Sequence, residues 1–157
     1  MAIHIVLYQP EIPANTGNIA RTCAATDTTL HLIHPLGFST DDKRLKRAGL
    51  DYWEYVHIVY YNSLDEFFEK TQGGEVFYLT KFGSKPHTAF DYSSQDKDYY
   101  FMFGKETTGL PKELLAQHQE RCLRIPMNDQ VQSINLSNSA AILIYEALRQ
   151  QNYPNLK

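Results

Sequence analysis

Short apolar runs recur along the chain, and a helix-patterned segment separates nearly every consecutive pair. Ile3 to Tyr8 is the first run; Leu30 to Ile33, Val56 to Tyr60, Val76 to Thr80, Tyr99 to Phe103 and Cys122 to Ile125 follow. Each has the length and the β-branched or aromatic content of a strand. Helical patterns fill the gaps: from Asn15, Gly17 and Ile19 through Cys23 and Ala24, from Asp42 to Ala48, from Leu64 to the stop at Gly73-Gly74, and from Pro111 to about His118. Only the polar connection with Lys81, Lys85 and His87 lacks one. Strands that alternate with helices need crossover connections, so the expected class is α/β, a mostly parallel sheet with helices on both faces. In such sheets ligands bind outside the carboxyl ends of the strands, in the loops.

The stretch from Arg124 to Arg149 closes the chain. Leu136, Ala140, Leu143 and Ala147 step at helical spacing with Ala141, Ile144 and Leu148 beside them, which predicts a helix with one broad buried face. The segment before it, Pro126 to Ser133, is polar and has little to bury. Ordered loops of that length tend to bind something. Ser133, Asn135, Ser137 and Asn138 stand at the helix entry, where a single cap needs one or two such residues. Four of them point to a ligand site as well as a cap.

With 157 residues, 43% of them hydrophobic, and no linker-like stretch, the chain suits one compact domain spanning residues 1–157. Its apolar runs are too short to cross a membrane, and MAIHIVLYQP lacks the marks of a signal peptide. Cys23 and Cys122 lie far apart, as reduced thiols in a cytoplasmic protein would. The net charge of −3 gives no support to nonspecific nucleic-acid binding, but Lys43, Arg44, Lys46 and Arg47 concentrate positive charge locally. On a helix these could meet phosphates or simply face solvent. Tyr52 and Trp53 follow closely, and each could stack on a base or pack in the core.

Three loops carry the chemistry. In PEIPANTGNIAR, Asn15 is a candidate helix cap, Gly17 a turn residue, and Arg21 either a surface charge or a contact to phosphate or substrate. FGKETTGLP has the glycine spacing of a P-loop, yet Leu110 and Pro111 stand where that motif needs Lys and Ser or Thr, so a nucleoside triphosphate site is disfavoured. No G-x-G-x-x-G opens the first helix, which argues against a dinucleotide site of the usual kind. Glu106 is the one acidic residue within a Gly-rich loop. The third loop runs from Pro126 to Asn138. The histidines offer no metal-ligand spacing except His31 and His34, which belong most simply to the structure, and no G-x-S-x-G elbow or paired-Cys motif is present.

Taken together, NTGNIARTC, FGKETTGLP and IPM…SINLSNSAA match in order and spacing the three motifs of the SPOUT class of RNA 2′-O-ribose methyltransferases. YQPEIPANTGNIAR, DDKRLKRAGLDYWEY and IYEALRQ extend the resemblance over nearly the whole chain, toward the small members that methylate the wobble nucleotide of certain tRNAs. The resemblance implies a C-terminal trefoil knot, S-adenosylmethionine bound bent within the knot loops, no metal, and a homodimer. It also implies a tRNA anticodon stem-loop as partner, with cytidine or modified uridine of leucine tRNAs as the target. By the same analogy Leu79, Gly104, Ile125 and Ser133 contact the cofactor, with Met127 and Leu136 as further walls. Arg21, Asn15, Glu106 and Asn135 would act on the nucleotide, and Lys43, Arg44, Lys46 and Arg47 would hold the RNA. A guanidinium stays protonated at ordinary pH, so Arg21 suits stabilising an alkoxide or gripping a phosphate better than abstracting a proton. A catalytically silent RNA-binding protein on the same scaffold, or methylation at another RNA site, is the rival expectation.

Overall fold

Alternation along the central strands sets the layers. On β1 (Ile3–Tyr8) the side chains of Ile3, Ile5 and Leu7 join one core and Val6 the other; on β6 (Tyr99–Phe103) the same division separates Tyr99, Phe101 and Phe103 from Tyr100 and Met102. These are the fully covered strands of a parallel sheet. The computed structural model describes residues 2–157, and only the backbone of residues 49–51. The remaining strands are β2 (Thr29–Ile33), β3 (Ile58–Tyr61), β4 (Glu75–Leu79), β5 (Lys85–Pro86) and β7 (Cys122–Arg124). All pairings among them are parallel, in the order β3-β2-β1-β6-β4-β7-β5.

Helices cover both faces, as expected. Against the first core lie α1 (Pro13–Thr26) and α5 (Leu136–Gln150), while α2 (Lys43–Trp53) packs on α1 and adds Trp53. The opposite face takes α3 (Leu64–Lys70) through Phe67 and α4 (Lys112–Gln117) through Leu114. On α5 the buried set is Ser139, Ala140, Leu143, Ile144, Ala147 and Leu148. Burying one Leu or Ile side chain contributes about 1.5–3 kcal/mol, so this stripe is what docks the helix. Its far end is tied to the segment after β5: Gln150 accepts from the Tyr92 N–H at 2.7 Å and donates to the Phe90 carbonyl at 3.0 Å.

Several boundaries depart from the sequence expectation. α1 begins at Pro13, whose ring presets the first helical φ, so Asn15 lies inside the first turn and Gly17 is buried within the helix; neither is the cap or turn residue expected. α2 continues beyond Ala48 to Trp53. The Arg21 guanidinium covers one face of the Tyr52 ring, 4.7 Å from its centroid, and Trp53 packs on the core rather than standing free as a base platform. The connection after β4 holds a further two-residue strand, β5, at the sheet edge.

The order of the strands has one consequence for the site. β7 follows β6 in sequence yet lies between β4 and β5. The turn joining β4 to β5 presses on it: Thr80 N–H donates to the Leu123 carbonyl at 3.0 Å, and Arg124 Nη1 donates to the Gly83 carbonyl at 2.7 Å. A Cβ at Gly83 would overlap the Leu123 and Arg124 backbone, so only glycine permits this approach.

Candidate active site

The carboxyl ends of β4, β6 and β7 open on one side of the sheet, and the loops leaving them enclose a cavity of about 510 Å³. That is the size class of small-molecule and cofactor sites. Leu79 and Thr80 come from the end of β4, Phe103 and Gly104 from the end of β6, and Ile125 follows β7. Met127, Ser133, Ile134, Asn135 and Leu136 close it from the third loop and the start of α5. Ile12 and Asn15 reach in from the segment after β1. All six residues expected around a cofactor are therefore together, and so are Asn15, Glu106 and Asn135.

Hydrogen bonds lock the three loops to one another. Asn135 is the N-cap of α5: its Oδ1 accepts from Ser137 N–H at 2.9 Å, Ser137 Oγ at 2.5 Å and Asn138 N–H at 3.4 Å. One residue does the capping, while Asn135 Nδ2 donates to Asn15 Oδ1 at 3.2 Å and joins α5 to α1. Ser133 takes no part in the cap and lies exposed on the cavity wall.

The Gly-rich loop is laced to the segment after β1. Glu106 Oε2 accepts from Glu11 N–H at 2.7 Å, and Glu11 Oε1 in turn accepts from Thr107 N–H at 3.0 Å and Thr107 Oγ at 2.8 Å. Gly104 adopts φ +94°, and a Cβ there would lie 2.8 Å from the Tyr8 carbonyl oxygen. Glycine thus lets the loop close against β1. The other Glu106 oxygen, Oε1, is buried without a partner, and burial pushes this carboxyl above the usual range. A buried acceptor with no donor is costly. It is satisfied by a donor brought by a ligand or by taking up a proton.

Among the described residues Glu106 is the sole acidic one lining the cavity, against Lys81, Lys105, Lys112 and Arg124. The rim is therefore positive on a chain of net charge −3, which suits a polyanion arriving there. Lys81, Phe82 and Arg124 were not singled out from the sequence. The available signal was position alone, since they follow the carboxyl ends of β4 and β7.

Two expected groups lie elsewhere. Arg21 is exposed on α1 and does not line the cavity of its own chain. Lys43, Arg44, Lys46 and Arg47 are exposed on α2, also outside it. Arg44 is held by Asp42, the N-cap, at 3.3 Å, while Lys43, Lys46 and Arg47 have no ion pair among the described residues. Those three share a helix side at three- and four-residue spacing. Among the described residues no group of three or more His, Cys, Asp or Glu is placed to hold a metal ion, and no helix is long and apolar enough to cross a membrane.

The model of the SpoU rRNA Methylase family matches residues 2–145. A Bacillus subtilis (strain 168) protein provisionally named a tRNA (cytidine(34)-2′-O)-methyltransferase is 69% identical, over 100% of this chain and 98% of its own. The Escherichia coli (strain K12) tRNA (cytidine(34)-2′-O)-methyltransferase is 49% identical, over 97% of this chain and 96% of its own. A solved structure described as giving insights into the 2-OH methylation of C/U34 on tRNA superposes with a TM-score of 0.90 at 43% identity, covering 96% of this chain and 97% of that one.

Proposed function

The chain belongs to the SpoU rRNA methylase family, and we propose that within it the protein is an S-adenosylmethionine-dependent enzyme that methylates the ribose 2′-hydroxyl of the wobble nucleotide, cytidine or modified uridine, of tRNA. One observation carries the reading: three segments remote in sequence, Ile12 to Asn15, Gly104 to Gly109 and Ile125 to Leu136, line a single cavity. Its chemistry fits the cofactor. Leu79, Ile125, Ile134 and Leu136 offer apolar walls for a purine ring, Gly104 and Ile125 bring backbone groups beside them, and the orphaned Glu106 Oε1 awaits a donor.

S-adenosylmethionine supplies a methyl group already activated on a sulfonium, so the transfer itself calls for no metal. The protein must align a 2′-hydroxyl with that methyl and remove its proton. Glu106 is the proton acceptor in this reading, because its carboxyl is the lining group whose proton affinity burial has raised. Asn15 and Asn135, fixed by their mutual hydrogen bond, orient the ribose. Arg21 is too basic to serve as a base, and it stabilises the developing alkoxide or grips the adjacent phosphate.

Because Arg21 stands outside the cavity of its own chain, we assign that role to Arg21 of the partner subunit in a homodimer. The outward side of α1 sets the short side chains of Ala14, Asn18 and Ala25 around Arg21, which leaves room for a second copy to approach and meet that guanidinium. Lys43, Lys46 and Arg47, with Arg44 beside them, then receive the phosphates of the anticodon stem-loop. The trefoil knot belongs to the same proposal, supported by β7 lodging between β4 and β5 under the turn at Gly83. So do a single domain over residues 1–157 and a cytoplasmic location, which the free thiols Cys23 and Cys122 support. The test is to incubate tRNA with labelled S-adenosylmethionine and map the product by its resistance to alkaline cleavage. Label at the wobble ribose is expected; tRNA binding without turnover would make the protein a silent binder, and label elsewhere would reassign the target.

A further inference from the structure

Phe82 is the most exposed large apolar side chain of the described residues, with 79% of its surface open to solvent. It stands at the rim of the cavity. An exposed aromatic on a mobile tip would mean little, but the backbone of the turn that carries this one is held. Phe82 N–H donates to Thr80 Oγ at 3.2 Å, Gly83 N–H donates to the Thr80 carbonyl at 3.1 Å, and the Gly83 carbonyl takes the Arg124 guanidinium. Gly83 itself lies directly against β7, where a Cβ would overlap the Leu123 and Arg124 backbone. The turn is built to keep a phenyl ring out in water beside the site.

The surroundings say what the ring is for. Lys81 Nζ lies over the ring at 5.2 Å, and Arg124 follows on β7, so the aromatic is flanked by cations on a chain that is acidic overall. An aromatic face with positive charge beside it is the arrangement that binds an unpaired nucleotide, the base stacking on the ring and the phosphate meeting the cation. An apolar protein partner would instead favour a rim without Lys and Arg. Leu79, Ile125 and Leu136, all more buried than Phe82, would offer the cofactor's own purine apolar walls.

We propose that Phe82 is a stacking platform for a base of the RNA substrate, the target base or its neighbour, with Lys81 and Arg124 meeting the adjoining phosphate. It deepens the methyltransfer reading and rests on it. The platform positions the nucleotide so that its ribose enters the cavity; it takes no part in bond making.

The experiment is a substitution series at Phe82. In Phe82→Ala and Phe82→Leu the KM for tRNA should rise on the order of tenfold, while Phe82→Tyr should keep it near the wild-type value. Affinity for S-adenosylmethionine, measured by calorimetry, should not change in any of them. A KM unmoved by Phe82→Ala overturns the proposal. So does Phe82→Leu matching wild type, which would make the contact merely apolar, or an equal loss of cofactor affinity, which would give the ring to the cofactor. An independent reading comes from Phe82→Trp, whose indole fluorescence should be quenched by an anticodon stem-loop RNA above the background of Trp53 in the wild type. Absence of quenching counts against the platform even if the wild type should methylate no tRNA, so failure here and failure of the methyltransferase reading remain distinct.

Discussion

Asn135 does two jobs with one amide, and a graded substitution separates them. Its oxygen caps α5, and its nitrogen donates to Asn15, which is only 7% exposed and lines the same cavity. Asn135→Ala removes both. Loss of an N-cap costs about 1 kcal/mol, and leaving the buried Asn15 oxygen without its donor costs about 1 kcal/mol more. The sum, about 2 kcal/mol, corresponds to a fall in melting temperature of about 4–8 °C for a chain of this size. Asn135→Ser keeps a capping oxygen and loses only the bridge, about 1 kcal/mol. Asn135→Asp also keeps the cap, and its charge at the start of α5 recovers a few tenths of a kcal/mol from the helix dipole. Neither Ser nor Asp can reproduce the N–H donated to Asn15.

Stability should therefore fall in the order wild type, Asp, Ser, Ala, while kcat for methyl transfer should fall in all three variants. Urea denaturation at one protein concentration and steady-state methylation of tRNA read the two quantities. An alanine variant within about 0.5 kcal/mol of wild type would refute the cap and the bridge together. Full kcat in Asn135→Ser would show that the link to Asn15 holds the fold and does not orient the nucleotide.

Other expectations follow from the same geometry. Arg21→Ala should abolish methyl transfer with cofactor affinity nearly unchanged, and mixing it with Glu106→Gln should restore about a quarter of wild-type activity through mixed dimers that hold one complete site, whereas no recovery would place Arg21 in its own chain's site or in a structural role. Reversing the charge of Lys43, Arg44, Lys46 and Arg47 should weaken tRNA binding and flatten its dependence on salt; an unaltered salt slope removes α2 from the RNA interface. Glu106 must be ionised to take a proton and its affinity for protons is raised, so kcat should climb with pH through a midpoint above the usual carboxylate range, and a profile unchanged in Glu106→Gln would assign the base elsewhere. His31 is buried between His4 Nδ1 and Tyr61 OH, each 2.9 Å away, and burial lowers its pKa to about 3. The unfolded chain then binds the extra proton, so stability should be intact above about pH 6.5 and decline at up to about 1.4 kcal/mol per unit as pH falls toward 3, with His4 shifted the same way; a flat urea midpoint between pH 7 and 5 would contradict this.

The central strands were legible because they are buried on both faces. Tyr99–Phe103 is an unbroken apolar run and Ile3–Tyr8 is interrupted only by His4, and the structure ends both at the same residues. β5 was not legible, since Lys85–Pro86 is a polar edge pair with a proline and has no hydrophobic pattern to betray it. The start of α1 is not legible from Asn15, a good cap by type, because Pro13 begins the helix and the Asn15 amide is spent on a direct hydrogen bond from Asn135. At the site, the Asn-, Gly- and Ser-laden loops announced themselves by having polar groups in excess of local need. Lys81 and Phe82 did not, because one Lys and one Phe are unremarkable until a turn is seen holding them at the rim.

The strand order explains why such a cavity exists at all. Neighbours in sequence usually become neighbours in a sheet, and by that rule β7 would lie beside β6. Instead it enters between β4 and β5, so the loop after Arg124 emerges beside the end of β4, one strand away from the end of β6. Without that insertion the Gly-rich loop and the third loop would leave the sheet apart from each other, and Asn135 would have no route to Asn15. Gly83 is the local cost of the arrangement, a residue stripped of its side chain so that one turn can lie across β7. The same turn presents Phe82 at the cavity mouth. A departure from the ordinary rules of chain connection thus builds the cavity and, through one glycine, sets an aromatic side chain at its mouth.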